Sequence, residues 1–460
     1  MGSRCRGADH LRVAWFTSVE EGAVAEFSRG VLAAMIRLCE PRLFCVGSPE
    51  RFPAGVPATN VLAEPQAVSQ IPAFDAVFYN VGEDLRQQAW IFDIARLHPG
   101  IVVLHELSLH RFFLGYYLQH LGRPDLYVTR MAEHYGTTGL TTAHQILGPR
   151  FDAQSGLLVD DDVRRYTFTE EALRSARGAV VHSRWHGSIV RKLWTGPVCE
   201  AWLPIQRMTA SSIPPDEDGD VVDRQRLTLM TLGPVDPRTH VGEVINLLAE
   251  NQDLADRLRY VVAGSYDPAD PYVQALMSTV SSGLVGSVRM LGDLPPHEVD
   301  RWARAADVFI NLRYPHEEGC LKSLMYELPF GKPVLVYDHA SLAELPSQAV
   351  AKISTGNTEG LGLKLRELVD SAALREAIGS TGRRFADDCT ARGYARRLLE
   401  FARQDVRPIG RETPALPSGV AEQIAIYLGE TLSSLGATSR SPGVEAAIRE
   451  ATELLCPPGL

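Results

Sequence analysis

The chain has 460 residues, enough for two or three domains at roughly 150 residues each, and its 46 Lys+Arg against 56 Asp+Glu leave a net charge of −10. That balance argues against a protein whose main task is gripping nucleic-acid phosphates, and no nucleic-acid partner is expected. With 45% hydrophobic and 22% charged residues it is neither disordered, collagenous nor a coiled coil.

No apolar run reaches the roughly 18 residues of a membrane helix, so no transmembrane segment is expected. The N-terminal MGSRCRGADH has no apolar signal core, and Arg6 stands where myristoylation requires Ser or Thr. Seven scattered cysteines without a CxxC suggest reduced thiols rather than a disulfide framework or a zinc site. A soluble cytoplasmic protein is the expectation.

In chain order, short β-branched runs alternate with stretches of helical period. Strands are predicted at 11–16, 42–47, 74–80, 101–105, 178–183 and 198–204, with helices at 23–37 and 87–97 among the intervening segments. Gly22, between the first strand and first helix, either serves the turn or lets an anion approach a helix N-terminus. The strand at 101–105 ends in His105-Glu106, a titratable pair at a strand's carboxyl lip. His105 there is either a cap for the next helix or a ligand contact. His110 follows five residues later, which is not the HExxH spacing of zinc proteases. Asp160-Asp161-Asp162 has no strand signal and is read as a solvated loop. His182, Arg184 and His186 open a helix and are read as surface or lip residues.

Residues 207–226 hold two prolines and a charge cluster without apolar period, the marks of a linker. The pattern then restarts, with strands predicted at 227–233, 258–264, 287–291, 307–312 and 333–338. Helices fit at 241–250, 271–281, 296–305 and 320–330. A buried strand thus runs into a loop carrying Arg313, His316, Glu317 and Glu318, and a helix opens at 319–323. N–H groups at such an opening suit a pyrophosphate. The two carboxylates alone could be dipole-complementing charge, but the loop also carries Arg313 and His316. Beyond about 357 the reading is helical to the end, including stripes at 420–435 and 444–455. These last helices are expected to pack back on the body, with a homodimer contact as the alternative.

Strand–helix alternation of this kind argues for α/β architecture, two Rossmann-like doubly wound domains in tandem. In open α/β sheets ligands bind outside the carboxyl ends of the strands, and two such sheets facing one another suggest a cleft for two ligands. No GxGxxG, Walker loop, GxSxG or metal-ligand cluster is present.

The strings GAVAEFS (22–28), YNVG (79–82), VVLHELSLH (102–110), GAVVHSRW (178–185), TLGPVDPRTHV (231–241), VAGSY (262–266), LGDLP (291–295) and ADVFINLRYPHEEG with FGKPVLVYD (306–338) carry a resemblance. Over roughly residues 11–405 the chain resembles the GT-B glycosyltransferases of the retaining family 4. The resemblance implies an acceptor domain at 1–206, a linker at 207–226, a nucleotide-sugar donor domain at 227–390 and C-terminal helices at 391–460. It also implies metal-independent transfer of a sugar from a GDP- or UDP-linked donor to a small-molecule or glycan acceptor that the sequence does not identify, with no cofactor beyond that co-substrate.

Residue by residue, the resemblance puts Gly22 under the donor pyrophosphate and His105 near the donor sugar. Glu318 takes the first acidic position of the paired-Glu motif, on the sugar hydroxyls. Gly319, Leu321, Lys322 and Ser323 supply phosphate-binding amides, and Gly264, Met290 and Leu291 line the base and ribose. Two departures stand out. The second Glu position falls on Tyr326, with Glu327 one residue late and expected in the ribose role. The cationic clamp after Gly233 reads Pro234 and Thr239-His240, leaving Arg238 or Lys322 to meet the phosphates, or else a catalytically weak chain; Arg313 is a further donor-site candidate. The rival readings are a non-catalytic GT-B scaffold and a GT-B sugar-nucleotide epimerase or hydrolase.

Overall fold

The computed structural model describes residues 11–20, 22–148, 160–205, 225–315, 321–404 and 406. These form two compact units. One holds the residues up to His182, His186–Ala201 and the segment from Tyr394; the other holds Ser183–Trp185 and Trp202–Gly393.

The first unit is built on seven strands, β1 (Arg12–Phe16), β2 (Glu40–Cys45), β3 (Ala58–Asn60), β4 (Ala76–Val81), β5 (Ile101–Leu104), β6 (Gly178–Val181) and β7 (Val198–Glu200). They lie in the order β3-β2-β1-β4-β5-β6-β7, and their pairings are parallel. Parallel strands covered on both faces must be apolar throughout. The runs AVFYNV, IVVL and GAVV are accordingly buried at every position. The helix Leu85–Leu97 starts where Asp84 accepts a bond from the Gln87 N–H, and it packs Trp90, Ile91 and Ile94 on Phe16, Val77 and Tyr79.

The second unit repeats the pattern with β8 (Leu227–Leu232), β9 (Leu258–Ala263), β10 (Val288–Gly292), β11 (Val308–Asn311), β12 (Val334–Tyr337) and β13 (Ala351–Ile353). Their order is β10-β9-β8-β11-β12-β13, again with parallel pairing. The two-residue period sends Leu229, Tyr260, Ile310 and Leu335 to one face, against Val244, Leu248 and Leu365. Met230, Val261, Phe309 and Val334 go to the other, against Trp302, Leu324 and Leu328.

Three expectations need correction. The triplet Asp160-Asp161-Asp162 opens the helix Asp160–Arg165 rather than lying in a loop; Arg164 and Arg165 in its last turn suit the dipole. His182 and His186 are fully buried, not surface residues. His186, Gly187 and Val190 make the inward side of the helix Arg184–Leu193. Strands β3 and β13 escaped the sequence reading, since ATN and AKI are short and not continuously apolar; β7, equally short, was found because it opens the longer run VCEAWLP. The stripes expected at 420–435 and 444–455 lie outside the described residues.

Strand ends in the second unit are tied by backbone bonds from Gly233 N–H to Ala263 O and from Gly264 N–H to Gly292 O. Gly233 has φ +131°, a conformation that favours glycine. A β-carbon on Gly264 would stand 1.9 Å from the carbonyl oxygen of Gly233, so backbone would have to move. Gly264→Ala is therefore expected to cost about 1–3 kcal/mol as overpacking, read as a lower urea midpoint. An unchanged midpoint would contradict this packing.

Candidate functional site

In the second unit the strand order reverses between β8 and β11, the switch point at which open sheets leave a crevice at their carboxyl ends. Two loops meet there. Tyr314 N–H donates to Arg238 O at 2.9 Å, and the His240 ring Nε2 lies 2.9 Å from Tyr314 O. His240 also bonds Glu243 at 2.8 Å, and Glu243 accepts the Tyr337 hydroxyl. This stitching carries Arg313 back over β8. A guanidinium nitrogen of Arg313 lies 3.3 Å from where a β-carbon on Gly233 would stand. Absence of that side chain leaves room for the cation.

The helix Lys322–Glu327 begins beside this point, with Leu321 as its N-cap. Its Ser323 hydroxyl accepts from Asn311 Nδ2 at 2.9 Å, and the same amide nitrogen donates to Glu327 Oε2 at 2.8 Å. Glu327 is fully buried, and its Oε1 has no hydrogen-bond partner among the described residues. Burial pushes its carboxyl up to about 8, against the opposing pull of Asn311 and Arg313. The ribose contact expected of Glu327 would have to reach a carboxyl at 0% exposure that is already bonded to Asn311.

The remaining expected residues divide. Lys322 and Arg238 are exposed, and Arg238 pairs with Asp236 at 3.1 Å across the turn Pro237–Thr239. Met290 and Leu291 sit on edge strand β10, packed on opposite faces of the sheet, where the register slips between Met290 and Gly292. Gly264 is held by its contact with Gly233. Glu318 and Gly319 lie outside the described residues, as do His316 and Glu317.

In the first unit the switch lies between β1 and β4. Gly22 precedes the helix Ala23–Met35 in extended backbone, with open space where a side chain would stand. His105 follows β5. It is not a helix cap: the helix His110–Gly115 has Leu109 at its N-cap without a side-chain cap bond. Instead the His105 ring Nε2 lies 3.1 Å from Asn80 Oδ1, and Asn80 Nδ2 donates to Phe16 O at 2.9 Å. The ends of β1, β4 and β5 are thereby joined through one fully buried amide.

Phe27 stands edge-on to the His105 ring at 4.9 Å, and the His182 ring lies at 5.2 Å. Burial, with the neighbouring His182 and His186 adding to it, holds His105 well below the usual histidine range. Burial also takes His182 down to about 4 and His186 to about 3. All three rings are neutral at pH 7. Asn80 and Asn311 were missed by sequence reasoning, because an asparagine ending an apolar run reads as a turn signal.

Two doubly wound parallel sheets, each with a switch point at its carboxyl edge, define the GT-B architecture, followed here by the helices Thr358–Asp370, Ala372–Asp388 and Ala391–Gln404. Solved structures of that fold are similar along most of their length. HepE of Anabaena in complex with UDP matches at 12% identity and TM-score 0.57, over 85% of this chain and 98% of that one. Sucrose-phosphate synthase from Thermosynechococcus elongatus matches at 12% and 0.55, over 86% and 99%. WaaG, a glycosyltransferase involved in lipopolysaccharide biosynthesis, matches at 14% and 0.51, over 85% and 100%. At such identities the likeness establishes the fold. No protein-family model and no curated protein matches the chain.

The buried carboxyl of Glu327 has a consequence for stability. Its folded value of about 8 exceeds the ordinary 4.5, so the folded chain keeps a proton that the unfolded chain has released. Stability from this group is full below about 4.5 and is lost as pH rises through about 8, by on the order of 1 kcal/mol per pH unit. Glu327→Gln stays neutral and keeps an acceptor for Asn311. It is expected to flatten the decline of the denaturation midpoint between pH 5 and pH 8. Identical pH slopes in the two proteins would contradict a protonated Glu327.

Proposed function

We propose that the chain is a glycosyltransferase of the retaining family 4 type, moving a sugar from a nucleotide diphosphate donor to a small-molecule or glycan acceptor. The observation that carries the reading is the meeting of Gly233, Arg313 and the helix opening at Leu321 around the β8–β11 switch point. Glycine there leaves the strand end open, and a guanidinium provides bidentate charge for phosphate. HepE, which shares the fold, is bound to UDP in its structure. Carried to this chain, the comparison favours a UDP-linked donor over a GDP-linked one.

Transfer breaks the bond between the anomeric carbon and the diphosphate oxygen and forms one to an acceptor hydroxyl. The hydroxyl proton leaves to the departing diphosphate. Arg313 offsets the charge that builds on that leaving group, in place of the clamp that Pro234 and Thr239-His240 do not supply, and no metal is assigned a part. Lys322 and the amides of Leu321, Lys322 and Ser323 add to it. Glu318 holds a sugar hydroxyl, since a carboxylate has no attraction for phosphate. Glu327 braces Asn311 and Ser323 from beneath rather than meeting the ribose. His105, neutral, gives the donor sugar a polar contact. The protein works without a cofactor, in the cytoplasm.

Calorimetry tests the assignment. UDP is expected to bind, and Arg313→Gln is expected to weaken it by about 1.5–3 kcal/mol, the range of a charge-assisted hydrogen bond. Lys322→Ala and Arg238→Ala should each cost less. Equal affinity in wild type and Arg313→Gln would contradict the role of Arg313, and binding of GDP in preference to UDP would contradict the choice of donor.

A further inference from the structure

Asn80, in the run YNVG, has no role in the reaction just described, yet it is a buried residue within hydrogen-bond distance of the His105 ring. We propose that Asn80 is a positioning residue: it fixes the His105 imidazole as the tautomer protonated on Nε2, leaving Nδ1 as a hydrogen-bond acceptor for a hydroxyl of the donor sugar. The sugar in this statement rests on the glycosyltransfer reading; the tautomer rests on the hydrogen-bond geometry and on the ring being neutral.

The argument runs through hydrogen-bond types. The carbonyl of Phe16 can only accept, so the group of Asn80 2.9 Å from it must be the NH2. That orients the amide and turns Oδ1 toward His105, at 3.1 Å from Nε2. Oδ1 can also only accept, so Nε2 must carry hydrogen. The ring has no second proton, because burial beside His182 and His186 disfavours the charged form. Nδ1 is therefore a lone-pair acceptor, the partner that a sugar hydroxyl needs. Phe27 edge-on at 4.9 Å and His182 at 5.2 Å fix the plane of the ring by packing. Both are apolar or neutral contacts that leave the proton's place to Asn80.

The test begins with the wild-type protein, with no variant that has to fold. Long-range ¹H–¹⁵N NMR of the histidine rings at pH 7 is expected to show His105 with a protonated Nε2 and a bare Nδ1. A ring protonated on Nδ1, or on both nitrogens, overturns the proposal. Asn80→Asp then supplies a carboxylate that favours the imidazolium and converts Nδ1 into a donor. Its kcat with a UDP-sugar is expected to fall by about tenfold or more, with KM for the donor little changed. Activity should recover as pH rises and the ring loses its proton. A purely structural Asn80 would lower the melting point without moving the pH profile, and that result also overturns the proposal. A wild-type chain that shows the expected tautomer but neither binds UDP nor transfers sugar would contradict the glycosyltransfer reading and, with it, the sugar hydroxyl as the partner of Nδ1.

Discussion

A parallel sheet whose strand order reverses cannot cover its own switch point. The chain leaves the two central strands in opposite directions, so their carboxyl ends open on a gap that loops must line. In the second unit this constraint decides where function can lie. β8 and β11 are neighbours, yet β9 lies to one side of the pair and β12 to the other. The loop after β8 needs a glycine at φ +131°, and the loop after β11 folds back to place Arg313 against it. The bonds from Tyr314 to Arg238 and His240 keep that placement from depending on Arg313 alone.

Each unit solves the polar problem of its switch point with a buried asparagine. Asn80 is the penultimate residue of β4, next to β1 in the sheet, and Asn311 ends β11, next to β8. An amide offers both donor and acceptor without a charge to desolvate, so it can bridge a backbone carbonyl and a side chain where an ion would cost several kcal/mol. The titratable groups near these amides follow suit. Glu327 is held protonated and His105 uncharged, each chiefly by burial. Positive charge in the second unit's candidate site is therefore left to Arg313, Lys322 and Arg238.

Much of this fold was legible in the sequence because buried parallel strands are continuous apolar runs, and LTLMTL or LRYVVA resist other readings. The helices Val241–Glu250 and Pro296–Ala305 fall on the expected residues, the first with a clear apolar stripe. The edge strands β3 and β13 left no such trace. Of the site, Arg313 stood out in the loop after a buried strand and Gly233 entered through the resemblance, but their proximity comes from the pairing of β8 with β11, which no local pattern encodes. The resemblance put Glu327 in the ribose role, and the inward turn of the helix Lys322–Glu327, with Leu324 and Leu328 on the buried side, leaves no trace in the local sequence. His182 and His186 were misread for the same reason, since polarity suggests exposure when the covering layer is invisible.

The central claim is that a nucleoside diphosphate occupies the carboxyl edge of β8, β9 and β11. Hydrogen–deuterium exchange with and without saturating UDP tests it most directly, because amides covered by or bonded to the ligand exchange more slowly. The account predicts added protection in peptides spanning 232–240, 263–266, 311–315 and 321–326, with the strands' amino ends unchanged. Protection confined to other segments, or none at all, would contradict it.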